Sequence, residues 1–447
     1  MRIFPLAAVA LVTAAALAAA PVHAQKPGSA FPFPYETVTL ANGLTAHLIT
    51  AGAPGQFAHL ALVRTGSRDE VEPGRSGFAH LFEHMMFRGT DRYPDYDGET
   101  TRLGAFRNGT TNSDWTLYYV VANSGYLDKV MDIEADRLQH LKYTERDFRT
   151  DAGAVLGEQQ QGAREPQRIL DEKVRETAFT RHPYGHTVIG YEADVRAMPD
   201  GYAYSQEFYR RHYRPENVVV VLAGDFDRAA AKALVHKYYG GWARGSAARP
   251  PIPAEPPQTE PRRTTVTYPG RTLPIISISH RAPAWTPGDR TAVALQVLGR
   301  AVFGPNSPLY KKLVLQERRA QTLASSFDLL RDPYLVTVQA TVSRPDDAAA
   351  VEAELVAEIA KYRDTLVEPA RLADIKRNVR YGFLMGLESA QDVAFALVQS
   401  LASTGRLESL EYYFRTLEAV TPDDLRTAAR TYLVDRGRTT IVMVQGS

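Results

Sequence analysis

The sequence predicts an α+β protein made of two homologous α/β domains in tandem, each an antiparallel sheet flanked by helices. Near the C-terminus, Thr421-Pro422-Asp423 precedes a helix to Tyr432 and an apolar strand at residues 441–444. The same order occurs roughly 220 residues earlier, where Met198-Pro199-Asp200 precedes a helix and a valine-rich strand. A period of that size indicates a duplicated domain rather than a short structural repeat.

A proline-rich stretch at residues 245–263 is the predicted boundary between the domains. Proline at such density favours a stiff, extended connection over a packed element. The stretch contains Pro250, Pro251, Pro253, Pro256, Pro257 and Pro261. We therefore expect an N-terminal domain at residues 25–244 and a C-terminal domain at residues 264–447.

The N-terminus is predicted to be a signal peptide at residues 1–24. Arg2 provides a short positive region, residues 3–20 are apolar, and Val22-His23-Ala24 offers small residues for cleavage before Gln25. An uncleaved anchor is the alternative, and Pro5, Pro21 and the cleavage-like end argue against it. No later stretch is long and apolar enough to span a bilayer. We expect an exported protein, periplasmic if the source is Gram-negative.

Composition excludes several classes of function. The net charge is +1, with acids and bases interspersed, so no basic surface for nucleic acid or acidic lipid is predicted. The chain contains no cysteine, which removes thiolate metal sites, thiol nucleophiles and disulfides. Export permits disulfides but does not require them.

The first half is predicted to alternate short strands with amphipathic helices. Asn42-Gly43 is a strong hairpin signal between two strands in residues 35–50. The other elements predicted are strands at 59–64, 104–121 (with a polar beginning) and 218–222, helices at 77–87, 126–141, 144–161 and through Phe208 and Tyr209, and a loop at 91–98. The second half is predicted to contain strands at 263–267, 275–280 and 441–444 and helices at 291–302, 348–362 and up to Tyr432.

His80, Glu83 and His84 form the pattern H-x-x-E-H on the predicted helix at 77–87. Residues four apart on a helix share a face, so both imidazoles are directed to one point and Glu83 reaches its edge. Two neutral imidazoles and a carboxylate base suit a catalytic zinc ion. Histidines at this spacing also occur by chance on surfaces and in cores. The helix that Gly77 precedes and Gly89 ends favours the zinc site.

A catalytic zinc takes a third protein ligand, and the residues alone leave several acids open. These are Glu134, Asp136, Glu145, Asp147, Asp151 and Glu158. His182 and His186 repeat the four-residue spacing, but Pro183 and Gly185 between them disfavour a helix, so a loop is predicted there.

The run at residues 77–90 resembles the zinc helix of the pitrilysin-type (inverzincin) metallopeptidases, which include insulin-degrading enzyme and the mitochondrial processing peptidase. The resemblance covers nearly the whole mature chain, is strongest in the first half, and is closest in size to short bacterial zinc-bearing subunits. Later matching runs are Asn108-Gly109-Thr110-Thr111, His182-Pro183-Tyr184-Gly185 and Tyr213-Arg214-Pro215-Glu216-Asn217.

The resemblance implies one Zn²⁺ per chain, with His80 and His84 as ligands and Glu83 as the catalytic base. Glu158 lies 74 positions after His84, the spacing at which family members carry their glutamate ligand on a downstream helix. Asp151 then stands where the family often has a glutamate that supports the ligands.

The resemblance also makes Asn108, Gly109 and Thr110 part of a sheet edge on which a peptide substrate pairs as an added strand. From the residues alone, an ordinary turn into a core strand is the alternative.

The second half departs from the family at two positions. Members that act within one chain or as homodimers have an arginine and a tyrosine seven apart, after a segment like Ser307-Pro308-Leu309-Tyr310. The aligned residues here are Val314 and Gln321; Arg318 and Arg319 are nearby, but no tyrosine follows them. Residues 293–299, where the zinc helix would recur, contain no histidine and no acid.

The expected function is therefore that of a zinc-dependent endopeptidase of oligopeptides or unfolded polypeptides. The resemblance implies the catalytic subunit of a heterodimer, whose homologous partner lacks the zinc motif and supplies the arginine and tyrosine. The alternatives are a homodimeric peptidase, a non-enzymatic assembly or core-type subunit of the same fold, and a two-lobed solute-binding protein.

Overall fold

The computed structural model describes residues 29–52 and 54–446. The predicted signal peptide and the predicted new N-terminus at Gln25 lie outside the described residues. Within the described ranges, no helix is both long enough and apolar enough to cross a membrane. These residues form two halves, each built on one sheet.

The first half, in its described residues, has six strands and eight helices. They are β1 (Tyr35–Thr39), β2 (Thr45–Thr50), β3 (Gln56–Val63), α1 (Phe78–Met85), α2 (Tyr96–Arg102), β4 (Phe106–Thr111), β5 (Thr116–Asn123), α3 (Leu127–His140), α4 (Glu145–Gly162), α5 (Pro166–Ala178), α6 (Glu192–Ala197), α7 (Tyr202–His212), β6 (Val218–Gly224) and α8 (Arg228–Tyr239).

The second half, over residues 262–446, has five strands and eight helices. They are β7 (Arg262–Tyr268), β8 (Ile275–Arg281), α9 (Arg290–Phe303), α10 (Pro308–Tyr310, continued by a π-helix at Lys311–Gln316), β9 (Ala320–Phe327), β10 (Leu335–Val342), α11 (Ala348–Lys361), α12 (Pro369–Met385), α13 (Ala390–Phe395), α14 (Val398–Thr404), α15 (Glu408–Ala419), α16 (Pro422–Tyr432) and β11 (Arg438–Gln445).

The two sheets have the same topology, which confirms the predicted pair of homologous domains. The strand orders are β1-β2-β6-β3-β5-β4 and β7-β11-β8-β10-β9, so they coincide once β1 is set aside. In each sheet one pair is parallel, β2 with β6 and β7 with β11. The prediction of antiparallel sheets was therefore wrong in this respect. The last strand of each half, β6 or β11, returns beside β2 or β7 after a long helical connection, and such a connection permits a parallel pair.

Residues 104–121 form two antiparallel strands, β4 and β5, instead of the single predicted strand. The polar run that was expected to begin one strand is itself an edge strand. It lacks apolar alternation because much of it faces solvent. Residues 91–95 of the predicted loop are irregular, whereas residues 96–98 begin α2, where the Asp95 side chain accepts a hydrogen bond from the Gly98 amide.

The proline-rich connection spans residues 240–261, and β7 begins at Arg262, slightly before the predicted start of the second domain at residue 264. Glu255 fastens the connection to the first half, because its carboxylate accepts hydrogen bonds from the backbone amides of Thr180, Arg181 and His182. The same carboxylate lies 3.3 Å from the Arg281 guanidinium of the second half.

At the junction, each half packs one helix on the sheet of the other half, an arrangement called here the exchange of helices. Helix α5 of the first half packs on β7, β8 and β11, where Leu170 and Val174 share a core with Ile275 and Ile441. Helix α13 of the second half packs on β3 and β6. The opposite face of the first sheet packs against α1 and α3 in a separate core. The helix that carries H-x-x-E-H therefore lies on the outer side of its sheet, away from α13.

Candidate metal centre

Helix α1 is held at its N-terminus by a buried carboxylate. Gly77 precedes the helix with a φ of 92°, a conformation that favours glycine. Glu70 accepts hydrogen bonds from the amides of Gly77 (2.7 Å) and Ala79 (2.6 Å). Burial raises the pKa of Glu70, and these two amides oppose the rise. A carboxylate at this position also interacts favourably with the positive end of the helix dipole.

The structure brings His80, His84 and Glu158 together. Their ligand atoms all lie within 4.8 Å of one another, and no other such group of three occurs in the described part of the chain. The two carboxylate oxygens of Glu158 face one imidazole each: Oε2 lies 3.5 Å from His80 Nε2, and Oε1 lies 3.4 Å from His84 Nε2. The imidazole rings are perpendicular, with centroids 5.0 Å apart.

This arrangement fits a tetrahedral zinc ion. Two atoms that each lie about 2.0–2.1 Å from such an ion are separated by roughly 3.3 Å, close to the separations between the imidazole and carboxylate atoms. Burial, with His84 and Arg168 nearby, lowers the pKa of His80 to about 3. His80 is therefore a neutral imidazole at pH 7, the form that binds metal.

Glu83 lies beside this cluster and is held by the neighbouring edge strand. Its carboxylate accepts a 2.6 Å hydrogen bond from the Thr111 hydroxyl on β4. Burial raises the pKa of Glu83, while the Thr111 hydrogen bond and His84 oppose the rise. A Cβ at Gly109 would lie 2.9 Å from Glu83 Cγ, so glycine there gives the side chain its room. A partly buried carboxylate with a raised pKa is suited to take up a proton near neutral pH.

Arg168 supports the helix that carries Glu158. Its guanidinium donates to the Glu158 backbone carbonyl at 3.2 Å. It also packs over Gly162, where a Cβ would lie 1.9 Å from Nη1. A cation near the C-terminal end of α4 is favoured by the helix dipole.

Asp151 forms a bidentate ion pair with Arg88, with distances of 2.5 and 2.8 Å. Arg88 follows α1, so Asp151 ties the end of that helix to α4. The remaining candidate acids have other partners: Glu134 pairs with Arg137, Asp136 with Arg92, and Glu145 with Arg149, while Asp147 caps α4.

The predicted substrate-binding residues Asn108, Gly109 and Thr110 lie on β4, which is an edge strand. The Asn108 side chain accepts a 2.9 Å hydrogen bond from the Gly109 amide. Because Glu83 contacts both Gly109 and Thr111, this edge adjoins the cluster of His80, His84 and Glu158.

His182 and His186 lie in a loop with a short 3₁₀ turn between them, and the turn confirms the predicted absence of a helix there. His182 accepts from the Tyr184 amide and contacts Asp332 at 3.0 Å across the junction of the halves. His186 lies 3.8 Å from Glu70, so it backs the carboxylate that caps α1.

In the second half, Val314 packs against the core from the π-helix, and Gln321 is exposed on β9. Arg319, the nearby alternative, is paired with Glu317 and Glu354.

Sequence reasoning missed the roles of four residues. Three are Glu70, Arg88 and Arg168, and the fourth is Thr111, which donates a hydrogen bond to Glu83. Each acts on α1 or α4 from a different element, so no periodic pattern marks it. The one available signal for Glu70 is the general rule that acidic side chains are favoured near the N-terminus of a helix.

Comparison with known sequences places both halves in one family. Residues 48–192 match the family model described as Insulinase (Peptidase family M16), and residues 202–379 match the model described as Peptidase M16 inactive domain. The zinc protease PqqE of Helicobacter pylori is 28% identical over 451 residues, covering 99% of this chain and 98% of the relative. The probable mitochondrial-processing peptidase subunit beta of Arabidopsis thaliana is 23% identical over 392 residues, covering 84% and 71%.

Solved structures have the same fold. A crystal structure of a protease from Helicobacter pylori has a TM-score of 0.85 at 28% identity, covering 92% of this chain and 99% of that chain. The periplasmic protease PqqL from Escherichia coli has a TM-score of 0.73 at 19% identity, covering 92% of this chain and 47% of that chain.

Proposed function

The chain belongs to peptidase family M16, and from that premise we propose that it is a zinc-dependent endopeptidase acting on oligopeptides or unfolded polypeptides. The observation that carries the proposal is the convergence of His80, His84 and Glu158 within 4.8 Å, with the Glu83 carboxylate beside them. The relatives include proteins named as zinc proteases.

In the proposed reaction, His80, His84 and Glu158 would hold one Zn²⁺, and the ion would supply Lewis-acid chemistry, polarising the substrate carbonyl and acidifying a water molecule. Glu83 takes the proton of the attacking water on a carboxylate oxygen and passes it to the leaving amine. Thr111 fixes the Glu83 carboxylate, and the raised pKa of Glu83 favours proton uptake. The peptide lies along β4, where Asn108, Gly109 and Thr110 offer a free edge for an added strand.

We further propose that a homologous subunit completes the site. Val314 and Gln321 stand where the family resemblance places an arginine and a tyrosine that bind substrate and stabilise a developing oxyanion. Val314 has no hydrogen-bond donor, and Gln321 offers a neutral amide and neither the charge of arginine nor the hydroxyl of tyrosine. Some relatives are named as a subunit of the mitochondrial-processing peptidase. The partner is expected to lack H-x-x-E-H and to supply the pair.

We also propose that the chain is exported after removal of residues 1–24, into the periplasm of a Gram-negative source. The apolar N-terminal stretch and the small residues before Gln25 support this. A solved relative is named as a periplasmic protease.

The metal proposal is tested by elemental analysis of the purified chain and its variants. The wild type should contain about one zinc per chain, and His84→Ala should contain little, because two remaining ligands hold the ion poorly. Glu158→Gln should bind zinc more weakly. The control is His140→Ala, which alters an exposed histidine on α3 and should leave zinc content unchanged. Full occupancy in both His84→Ala and Glu158→Gln would overturn the assignment.

A further inference from the structure

Phe106, at the start of β4, is exposed in a place where large apolar side chains are rare. It is 56% exposed, and among the described residues it is the one strongly exposed large apolar side chain that lies in a strand. An apolar side chain on a free sheet edge favours aggregation, and natural edges usually carry polar or charged residues instead. The exposure of Phe106 therefore calls for a functional reason.

The other edge strands of the described residues follow the usual rule. In the second sheet, β9 is the topological counterpart of β4. Its well-exposed positions carry small or polar side chains, among them Gln321, Thr322 and Ala324. An exposed aromatic ring is thus a property of the edge next to the candidate metal centre and not of the duplicated scaffold.

Phe106 is supported by two further rings. Its ring centroid lies 6.0 Å from that of Tyr119 on β5. The Tyr119 ring is perpendicular to that of Phe395 on α13, with centroids 4.8 Å apart. Phe106, Tyr119 and Phe395, here called the aromatic row, run from the free edge of the first sheet to the second half. Tyr119 is buried and Phe395 is partly buried, so Phe106 at the outer end is the most exposed ring of the row.

The aromatic row lies on the opposite face of β4 from Glu83. Side chains alternate along a strand, and Gly109 and Thr111 face Glu83 on α1. Phe106 and Asn108 consequently point to the other face, where Tyr119 belongs to the core shared with the second half. A peptide strand added to this edge would present alternate side chains to the metal centre and to the aromatic row.

We propose that the aromatic row is a specificity subsite that binds one apolar side chain of an extended peptide paired with β4. Directly opposed side chains on neighbouring antiparallel strands lie about 4.5–5.5 Å apart at Cβ and attract when both are aromatic or apolar. Phe106 precedes Thr111, the partner of Glu83, by five residues, or roughly 17 Å of strand. The selected side chain therefore lies about four to six residues from the bond to be cleaved. This inference rests on the proposed function.

The test measures equilibrium binding by the zinc-loaded Glu83→Gln chain, which should hold peptide without cleaving it. Fluorescence anisotropy is recorded with unstructured peptides that carry a single Phe at successive positions, each compared with its Ser version. One position should bind about fivefold more tightly with Phe, as expected for an apolar cross-strand pair. Adding Phe106→Ser should remove that preference, and Phe106→Leu should keep most of it.

Leu366→Ser is the matched control, since Leu366 is 41% exposed in a loop of the second half. It should leave the preference intact, and zinc content should equal that of the parent in every variant. A Phe preference that persists in Phe106→Ser would overturn the subsite, and so would an equal weakening of Phe and Ser peptides. Absence of zinc from the parent chain would overturn the proposed function as well, which separates the two failures.

Discussion

In each half of the molecule a helix and an edge strand come close at a glycine, but the side chain that faces the glycine differs. In the first half, α1 approaches β4 at Gly109, which faces the Glu83 side chain. In the second half, α9 approaches β9 at Gly299, which faces the Ser325 side chain, and a Cβ there would lie 2.6 Å from the hydroxyl. The glycine at the contact is on the strand in the first half and on the helix in the second half. The side chain that faces it is a carboxylate in the first half (Glu83) and a hydroxyl in the second (Ser325).

The surroundings of the two helices explain why only one half offers metal ligands. Helix α9 is covered by α12, α15 and α16, and most of its residues are buried apolar side chains. A polar group buried in such surroundings without a hydrogen-bond partner would be destabilising. Helix α1 leaves His84 and Glu83 partly exposed towards α4 and β4. Both halves therefore have a close contact between a helix and an edge strand. The cluster of polar side chains occurs on α1, which has a partly exposed face, and not on α9, which is covered by other helices.

The largest effect is expected from Glu83→Gln, which tests whether proton transfer depends on the first half alone. Glu83→Gln should lower kcat by about 10²–10⁴-fold, the usual contribution of a general base, while zinc content stays at the wild-type level. Peptide hydrolysis is measured for the chain alone and after mixing with a homologous subunit, and the more active preparation is used.

The matched change in the second half is Gln296→Ala on α9, where Gln296 accepts a hydrogen bond from Tyr413. Hydrolysis by this variant should equal that of the wild type. Normal turnover by Glu83→Gln would remove Glu83 from the mechanism and end the contrast between α1 and α9.

The next effect concerns what the second half lacks. The loss of one oxyanion donor typically costs about 10²–10³-fold in rate, so the chain alone should bind zinc but hydrolyse an unstructured peptide poorly. Adding a homologous subunit that carries the arginine and tyrosine should restore hydrolysis by at least about a hundredfold. The two chains should co-elute in gel filtration. Equal rates for the isolated chain and the mixture would show that hydrolysis does not need an arginine and a tyrosine from a partner subunit, in spite of Val314 and Gln321.

The smallest effect concerns the connection between the halves. Burial alone would raise the pKa of Glu255, but the amides of His182, Arg181 and Thr180 lower it to about 2. A carboxyl whose pKa is lower in the folded than in the unfolded state stabilises the fold above its unfolded pKa of 4.5. That contribution is lost as the pH falls from about 4.5 to about 2.

Glu255→Gln should therefore lower the free energy of unfolding by about 2 kcal/mol at pH 7, and the difference from wild type should shrink below pH 4. Urea denaturation at a series of pH values measures it. Glu260→Gln, an exposed position in the same connection, is the control and should change little. A pH-independent difference would mean that the Glu255 charge is not what holds the connection.

The parts of the site that lie within one helix could be predicted from the sequence, because helical spacing alone places His80 and His84 on one face. Glu158 could not be chosen on spacing or residue type, since six acids were equivalent until the family resemblance singled it out. In the structure, the other five pair with other side chains or cap α4, and this could be known only from the fold. Thr111 and Arg168 reach the site from other elements and leave no local pattern.

The fold class was predictable because the repeated order of helix and strand survives in both halves. The division of residues 104–121 into β4 and β5 was missed because an edge strand with a polar outer side lacks the alternation that marks a buried strand. The parallel pairs were missed for another reason. They join strands far apart in the chain, and local residue patterns contain no information about such pairing.

The exchange of α5 and α13 has a consequence for how the protein is made. The apolar side of α5, with Leu170 and Val174, packs on the second sheet, and that sheet includes β11, the last strand to be synthesised. The contacts of α5 with the second sheet therefore cannot form while the ribosome is still translating the second half, whereas the separate core of the first half contains only first-half residues. Contacts between residues so far apart in the chain slow folding. A fragment cut at the connection would expose the apolar side of α5 and, on the other piece, the surface of the second sheet that covers it.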